Sequence, residues 1–284
     1  MALASRLAQG SATISSVARS GSSVKPIEAS PKIEFRDVTK TFGAGAKRMV
    51  ALDRVSLSIE DGRFVSILGE SGCGKTTLLR IAAGLIPATH GRVLMDGAPV
   101  TKPGRDMGFV FQQSVLLEWR TVLENILLPV EIFGLKRKDY RDKALDLLKM
   151  MGLSGFEDHY PIQLSGGMQQ RVSIARALIL KPSVLLMDEP FGALDAITRE
   201  QMNVELLRIW SLSRTTAIFI THDIAEAAFL SDRVVVLGSR PGCVRRIFDI
   251  DLPRPRQADH RFDDRFTKLC RDMKHAMTAR GEQQ

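Results

Sequence analysis

The string Gly69–Glu–Ser–Gly–Cys–Gly–Lys75–Thr76 constrains this chain more than any other feature. It has the form G-x-x-x-x-G-K-[ST] and stands between the short apolar run Phe64–Leu68 and a stretch of helical character, Leu78–Ala83. Glycines let the backbone turn so that successive N–H groups point at one cluster of anionic oxygens. The start of the following helix adds the positive end of its dipole. Lys75 is placed to reach phosphate oxygens, and the Thr76 hydroxyl is a hard ligand for Mg2+. Gly69, Glu70, Ser71, Gly72, Cys73, Gly74, Lys75, Thr76 and Thr77 are therefore candidates to hold the phosphates of a nucleotide. Cys73 lies in the loop just ahead of a helix start, a setting that favours thiolate. This predicts that alkylating it blocks nucleotide binding.

A second feature supports the first. Val184–Leu–Leu–Met187 reads as a buried strand and runs straight into Asp188 and Glu189. Carboxylates at the C-terminal end of a strand face the crevice where ligands sit in parallel sheets. Asp188 is expected in the shell of the metal, and Glu189 beside an attacking water.

Strand and helix patterns alternate along the chain. Ile33–Phe35 and Val55–Ile59 alternate like half-buried strands, whereas Ala217–Ile220 is an unbroken apolar run. Val234–Leu237 and Val244–Phe248 flank a turn at Arg240–Pro241–Gly242. Thr121 and Glu124 have capping-box spacing, one helix is expected over 138–151 with Leu145, Leu148 and Met151 facing a core, and another over 168–180. The expected fold is α/β: a P-loop NTPase core with a mostly parallel sheet, an antiparallel β part and an inserted helical subdomain at about 113–165. The core domain spans 32–250. Residues 1–31, Ser-rich and without the apolar centre of a signal peptide, read as a flexible tail. Residues 251–284 read as a partly helical C-terminal tail. Its amphipathic stretch Phe262–Met277 either packs on its own domain or docks elsewhere.

Composition narrows the partners. No stretch of the 284 residues approaches the roughly 18–20 apolar residues that span a bilayer, so at a membrane another chain must do the crossing. The formal net charge of +8 admits nucleic acid, an anionic surface or anionic ligands. Much of the excess lies near the ends, and no basic cluster is interleaved with aromatics, which argues against nucleic acid. Three cysteines without metal-ligand spacing fit a reducing compartment.

Leu164–Ser–Gly–Gly–Met–Gln–Gln–Arg171 resembles the signature motif of the ABC ATPase family, with Met168 where Gln is usual. Ser165 and the Gly166 and Gly167 amides at a helix start would form a second anion site. The resemblance implies that the two phosphate surfaces lie too far apart to share one ATP. Two copies would then pair head to tail, closing each ATP between one cradle and the other copy's signature. It further implies that Phe42 stacks on adenine and that Gln112, with Gln113 a weaker candidate, joins the Mg2+ site to the helical lobe. Asp195 would couple the two sites, and His222 would stand near the γ-phosphate. A core Phe is the alternative for Phe42.

Gln113–Asn125, Phe191–Arg199 and Arg240–Gly242 resemble the nitrate, sulfonate and taurine importer branch, with Glu118 where Pro is frequent. This implies an ATPase coupled to import, with transmembrane permease subunits and a separate solute-binding protein as partners, at the cytoplasmic face of the cell membrane. An ABC ATPase acting on ribosomes or DNA is the rival, but the chain lacks the second nucleotide domain or long insertion usual there. A P-loop kinase would give no reason for Leu164–Arg171.

Overall fold

The computed structural model describes residues 30–278. The expected N-terminal tail therefore lies, but for its last two residues, outside the described part, as do residues 279–284. β1 (Ile33–Phe42) and β2 (Met49–Ile59) pair antiparallel, with Ile33 opposite Ile59 and Phe42 opposite Met49. β3 (Phe64–Leu68) leads through the glycine-rich turn into α1 (Lys75–Ala82). β4 (His90–Met95) and the short β5 (Ala98–Pro99) complete an antiparallel sheet in the order β2-β1-β4-β5.

β6 (Met107–Val110) precedes a helical stretch of α2 (Val122–Ile132), α3 (Arg141–Met150) and α4 (Gly166–Leu178). Then β7 (Val184–Asp188), α5 (Ala196–Ser213), β8 (Thr216–Thr221), α6 (Ile224–Leu230), β9 (Arg233–Leu237), β10 (Val244–Asp249) and α7 (Asp264–Thr278) follow. The second sheet has the order β10-β9-β3-β8-β7-β6. It is parallel throughout except for β10 at its edge.

The apolar runs of the central strands follow from this arrangement. Every residue of β3, β7 and β8 is buried, because both faces of the parallel sheet are covered. Successive side chains divide between the two faces. Phe64, Met187, Phe219 and Val236 enter the core under the helices from α2 onward. Val65, Leu186, Ile220 and Val235 enter the core shared with α1 and the antiparallel sheet. Each such fully buried side chain contributes roughly 1.5–3 kcal/mol.

α2 begins with the expected capping box: the Thr121 hydroxyl accepts from the Glu124 amide, and the Glu124 carboxylate accepts from the Thr121 amide. Leu148 and Met151 are fully buried and Leu145 is packed against the same core. Buried Asn125 accepts from the Leu117 amide and donates to the carbonyls of Leu117, Arg120 and Thr121, which fixes the chain between Gln113 and α2.

α7 packs on its own domain. Phe266, Met273 and Ala276 are buried in the main core, and Arg245 donates to the carbonyls of Ala276 and Met277 at its last turn. The Pro-rich segment before it is tied down by Arg256, whose buried Nη1 donates to the carbonyls of Ala228, Phe229 and Ser231 at the end of α6.

The candidate nucleotide site

Chain reversal between β3 and α1 shapes the cradle. Gly72 and Gly74 hold φ of 78° and 100°, which L side chains rarely adopt. A Cβ at Gly74 would also come within 2.8 Å of the Ala51 carbonyl oxygen of β2. The Arg240–Gly242 turn closes the other side. The Gly242 amide donates to Ala51, Asp53 donates back to the Gly242 carbonyl, and a Cβ at Gly242 would stand 2.1 Å from the carbonyl oxygen of Cys73. The loop is thus clamped between β2 and that turn.

Lys75, at 4% exposure, donates to the carbonyls of Gly69 (2.9 Å) and Glu70 (3.0 Å) and lies 3.4 Å from the Glu189 carboxylate. Its ammonium therefore hangs across the mouth of the loop. Glu70, Ser71 and Gly72 are exposed, and Thr76 and Thr77 are half-buried.

The Thr76 hydroxyl donates to Asp188 across 2.9 Å, joining the start of α1 to the end of β7. Burial lifts the Asp188 carboxyl above its ordinary range, and the Thr76 hydrogen bond pulls it back. A hydroxyl and a desolvated carboxylate in contact suit a small hard cation, which would offset that burial cost. Among the described residues no three His, Cys, Asp or Glu side chains gather at one metal position. Mg2+ bound here would draw its other ligands from phosphate and water.

Glu189 follows Asp188 with φ of 42°, in the left-handed region that a non-glycine residue enters at a cost of about 1–3 kcal/mol. Its amide is held by the Ile220 carbonyl at 3.1 Å. One carboxylate oxygen faces Lys75, and the other lies 2.9 Å from His222 Nδ1. Gln112 comes to the same corner: a Cβ at Gly192 would lie 3.6 Å from Gln112 Nε2 and 3.8 Å from Glu189 Cβ. Lys75, Thr76, Gln112, Asp188, Glu189 and His222, spread over four separate stretches of the sequence, thus gather at the C-terminal ends of β3, β6, β7 and β8.

Phe42 ends β1 exposed, with the Lys40 ammonium 5.1 Å above its ring. It is a surface aromatic and no part of either core. Ser165 caps α4 and accepts from the Met168 amide at 3.3 Å, with Gly166 and Gly167 in the first helical turn. Among the described residues no hydrogen bond or ion pair joins Ser165 to the glycine-rich loop. Instead the signature helix braces the lobe and the Gln112 segment. Gln169 accepts from Ser114, Gln170 donates to the Phe111 carbonyl, and Arg171 donates to the Met151 carbonyl. Asp195 is exposed and caps α5, accepting from the Thr198 amide at 3.0 Å.

The expectation of a thiolate at Cys73 is overturned. Its side chain is 1% exposed and points into the core, where burial pushes the thiol pKa up, against the pull of Lys75. The helix start favours a thiolate only where the sulfur can face it in solvent, and here only the backbone of Cys73 faces the cradle. Two further polar residues escaped the sequence reading. Glu226 is buried and takes the Thr221 hydroxyl at 2.5 Å, and Arg199 lies beside Asp223. The spacing Asp223-x-x-Glu226 is a helix-start signal that points to Glu226, whereas no local spacing points to Arg199.

A family model described as ABC transporter matches residues 52–192. The uncharacterized ABC transporter ATP-binding protein MJ0412 of Methanocaldococcus jannaschii is 52% identical over 225 residues, 79% of this chain and 84% of that protein. The taurine import ATP-binding protein TauB of Rhizobium johnstonii is 50% identical over 214 residues, 75% of this chain and 82% of that one. Among solved structures, a dimeric ATP-binding cassette in a post-hydrolysis state bound to ADP and Pi is similar with a TM-score of 0.68 and 38% identity, covering 78% of this chain and all of the other. With its core, its gathered acids and relatives at this identity across most of its length, the chain belongs to the ABC transporter family and is one of its ATP-hydrolysing subunits.

Proposed function

We propose that the chain hydrolyses Mg-ATP to drive import of a small organic anion, of the sulfonate or taurine type, through partner permease subunits. The observation that carries the chemistry is the arrangement of Glu189 between Lys75 and His222, beside the Thr76–Asp188 pair. The importer branch rests on the identity to the taurine import protein, together with the Gln113–Asn125 and Arg240–Gly242 strings.

Lys75 and the amides of Gly72–Thr76 bind the β- and γ-phosphates. Thr76, Gln112 and Asp188 hold Mg2+, which neutralises phosphate charge when bound. Glu189 takes the proton of the attacking water, and His222 stabilises the charge that develops on the transferred phosphoryl group. Phe42 carries the adenine. Ser165, Gly166 and Gly167 of a second copy complete the site, and Asp195 meets that copy's loop.

A groove of about 330 Å³ lies beside the Gln112 segment, with Phe111, Val115, Leu128, Ile132 and Phe133 on its walls. Phe111, Val115, Ile132 and Phe133 are exposed. It suits an apolar segment of a permease at the cytoplasmic face of the membrane, and a separate solute-binding protein would supply the cargo. No described helix is long and apolar enough to cross a membrane itself.

Glu189→Gln tests the chemistry. Hydrolysis should fall by roughly 10²–10⁴-fold, the usual worth of a general base, while ATP affinity is kept. Turnover near that of the unaltered protein would remove Glu189 from the proposed role.

A further inference from the structure

The Gly192–Asp195 loop and the Thr221–Asp223 loop each follow a different strand of the parallel sheet, and Arg199 touches both. Its Nη2 donates to the Leu194 carbonyl at 2.8 Å, and its Nη1 stands 3.7 Å from Asp223 Oδ2. Its Nε is buried without a partner, so the guanidinium is held from its two ends. Asp223 is itself pinned: Oδ1 accepts from the Glu226 amide at 3.0 Å, and its own amide donates to the Thr221 hydroxyl at 2.9 Å. That hydroxyl in turn donates to Glu226. His222 thus stands between two residues whose positions are fixed, and its contact with Glu189 depends on where Asp223 is held.

Helix stability gives no reason for this arginine. Arg199 lies in the first turn of α5, where the positive end of the dipole disfavours a cation. Glu189, Gly192, Arg199, His222 and Glu226 also line one small void between the two loops.

We propose that Arg199 is a positioning residue that couples the Asp195 loop to His222 within one chain. This rests on the two-copy reading given above. When a second copy orders the Asp195 loop, the Leu194 carbonyl moves, Arg199 follows, and Asp223 sets the His222–Glu189 contact for hydrolysis. ATP at one site thereby governs the rate at the other, through a chain of three named contacts.

Three variants test the route: Arg199→Ala, Asp223→Asn and the pair together. Asn at 223 keeps the acceptor for the Glu226 amide and loses the charge that faces Arg199. Each single change should lower kcat roughly 10–100-fold, as a small misplacement at a reacting group does, with ATP affinity held within about twofold. The Hill coefficient for ATP should drop to that of independent sites, and the double variant should be no slower than the slower single one. Arg199→Lys keeps a cation without the two-ended fork and should recover only part of the rate. A merely structural arginine would lower the melting temperature and leave the rate per folded molecule and the Hill coefficient unchanged. That result, or additive losses in the double variant, would overturn the proposal. ATP-driven pairing is followed by size-exclusion chromatography in Glu189→Gln, with and without Arg199→Ala. If both pair and Arg199→Ala alone keeps full kcat, only the coupling role falls. If Glu189→Gln itself does not pair, the two-copy reading falls and takes the coupling with it.

Discussion

Glu226 keeps its carboxyl almost wholly inside the molecule, and burial raises its pKa from the ordinary 4.5 to about 7, with Asp223 adding to the rise. The Thr221 hydroxyl, Arg199 and Asn203 pull the other way without winning. Between these two values the folded chain retains a proton that the unfolded chain releases. The stabilisation from that proton is complete below about pH 4.5 and is lost as pH rises through 7, with a size on the order of 3 kcal/mol. Glu226→Gln still accepts from Thr221 but cannot ionise. Its unfolding free energy in urea should therefore fall less between pH 5 and pH 8 than that of the unaltered chain. Equal slopes would mean that Glu226 does not titrate in this range. Side-chain types and spacing were enough to nominate Lys75, Thr76, Asp188 and Glu189, because each stands in a short string with a chemical rationale, whereas His222 was implied only by the family resemblance. Which way Cys73 points was not written in its neighbours. It follows from the core in which the sulfur is buried, shared with Leu52, Ile67 and Leu237 of three different strands.

At the scale of elements, the turn between β9 and β10 acts on a loop nearly 170 positions away, by pressing Gly242 onto the Cys73 carbonyl and the Ala51 strand. Gly242→Ala would push a methyl group to 2.1 Å from that carbonyl, so the glycine-rich loop must shift. Weaker ATP binding should follow, by roughly tenfold or more, as a misplaced binding loop costs, with the fold retained. Titration with a fluorescent ATP analogue measures it, and unchanged affinity would show that the clamp does not set the loop's geometry. The sequence pattern identified Arg240–Gly242 as a turn but gave no hint of what it presses on. α5 was missed altogether, although Met202, Leu206, Ile209 and Trp210 have helical spacing and are all buried. Exposed apolar residues off that face, Ile197, Val204 and Leu212, masked the stripe. β4 was missed because half of its residues are exposed at the edge of the antiparallel part.

The molecule as a whole divides its labour between two faces of one sheet. α1 and the antiparallel sheet cover the face behind the phosphate loop, and the helices that follow β6 cover the other. The groove beside Gln112 opens on this helical side, and exposed Val115, Ile132 and Trp119 mark that part of the surface, Trp119 at 74% exposure. Ile132→Glu, which touches neither core, should therefore reduce recovery of permease subunits from gently solubilised membranes while sparing ATP binding. Undiminished recovery would send the permease contact to another surface. The alternation of strand and helix made this layered plan readable from hydrophobic periodicity alone. The pairing of strands could not be read that way, since β3 lies between β8 and β9, more than 140 residues downstream.

The contacts of Lys75 carry one more consequence. Its ammonium has three partners, two backbone carbonyls and Glu189. Arrival of ATP is on the proposed reading an exchange, in which phosphate oxygens take the ammonium from its present company. A nucleotide with a shorter phosphate chain can leave the Glu189 contact in place. A full-length one strips it away, and the carboxylate released is the one required to accept a proton from water. Recognition of the third phosphate and preparation of the base would then be a single displacement.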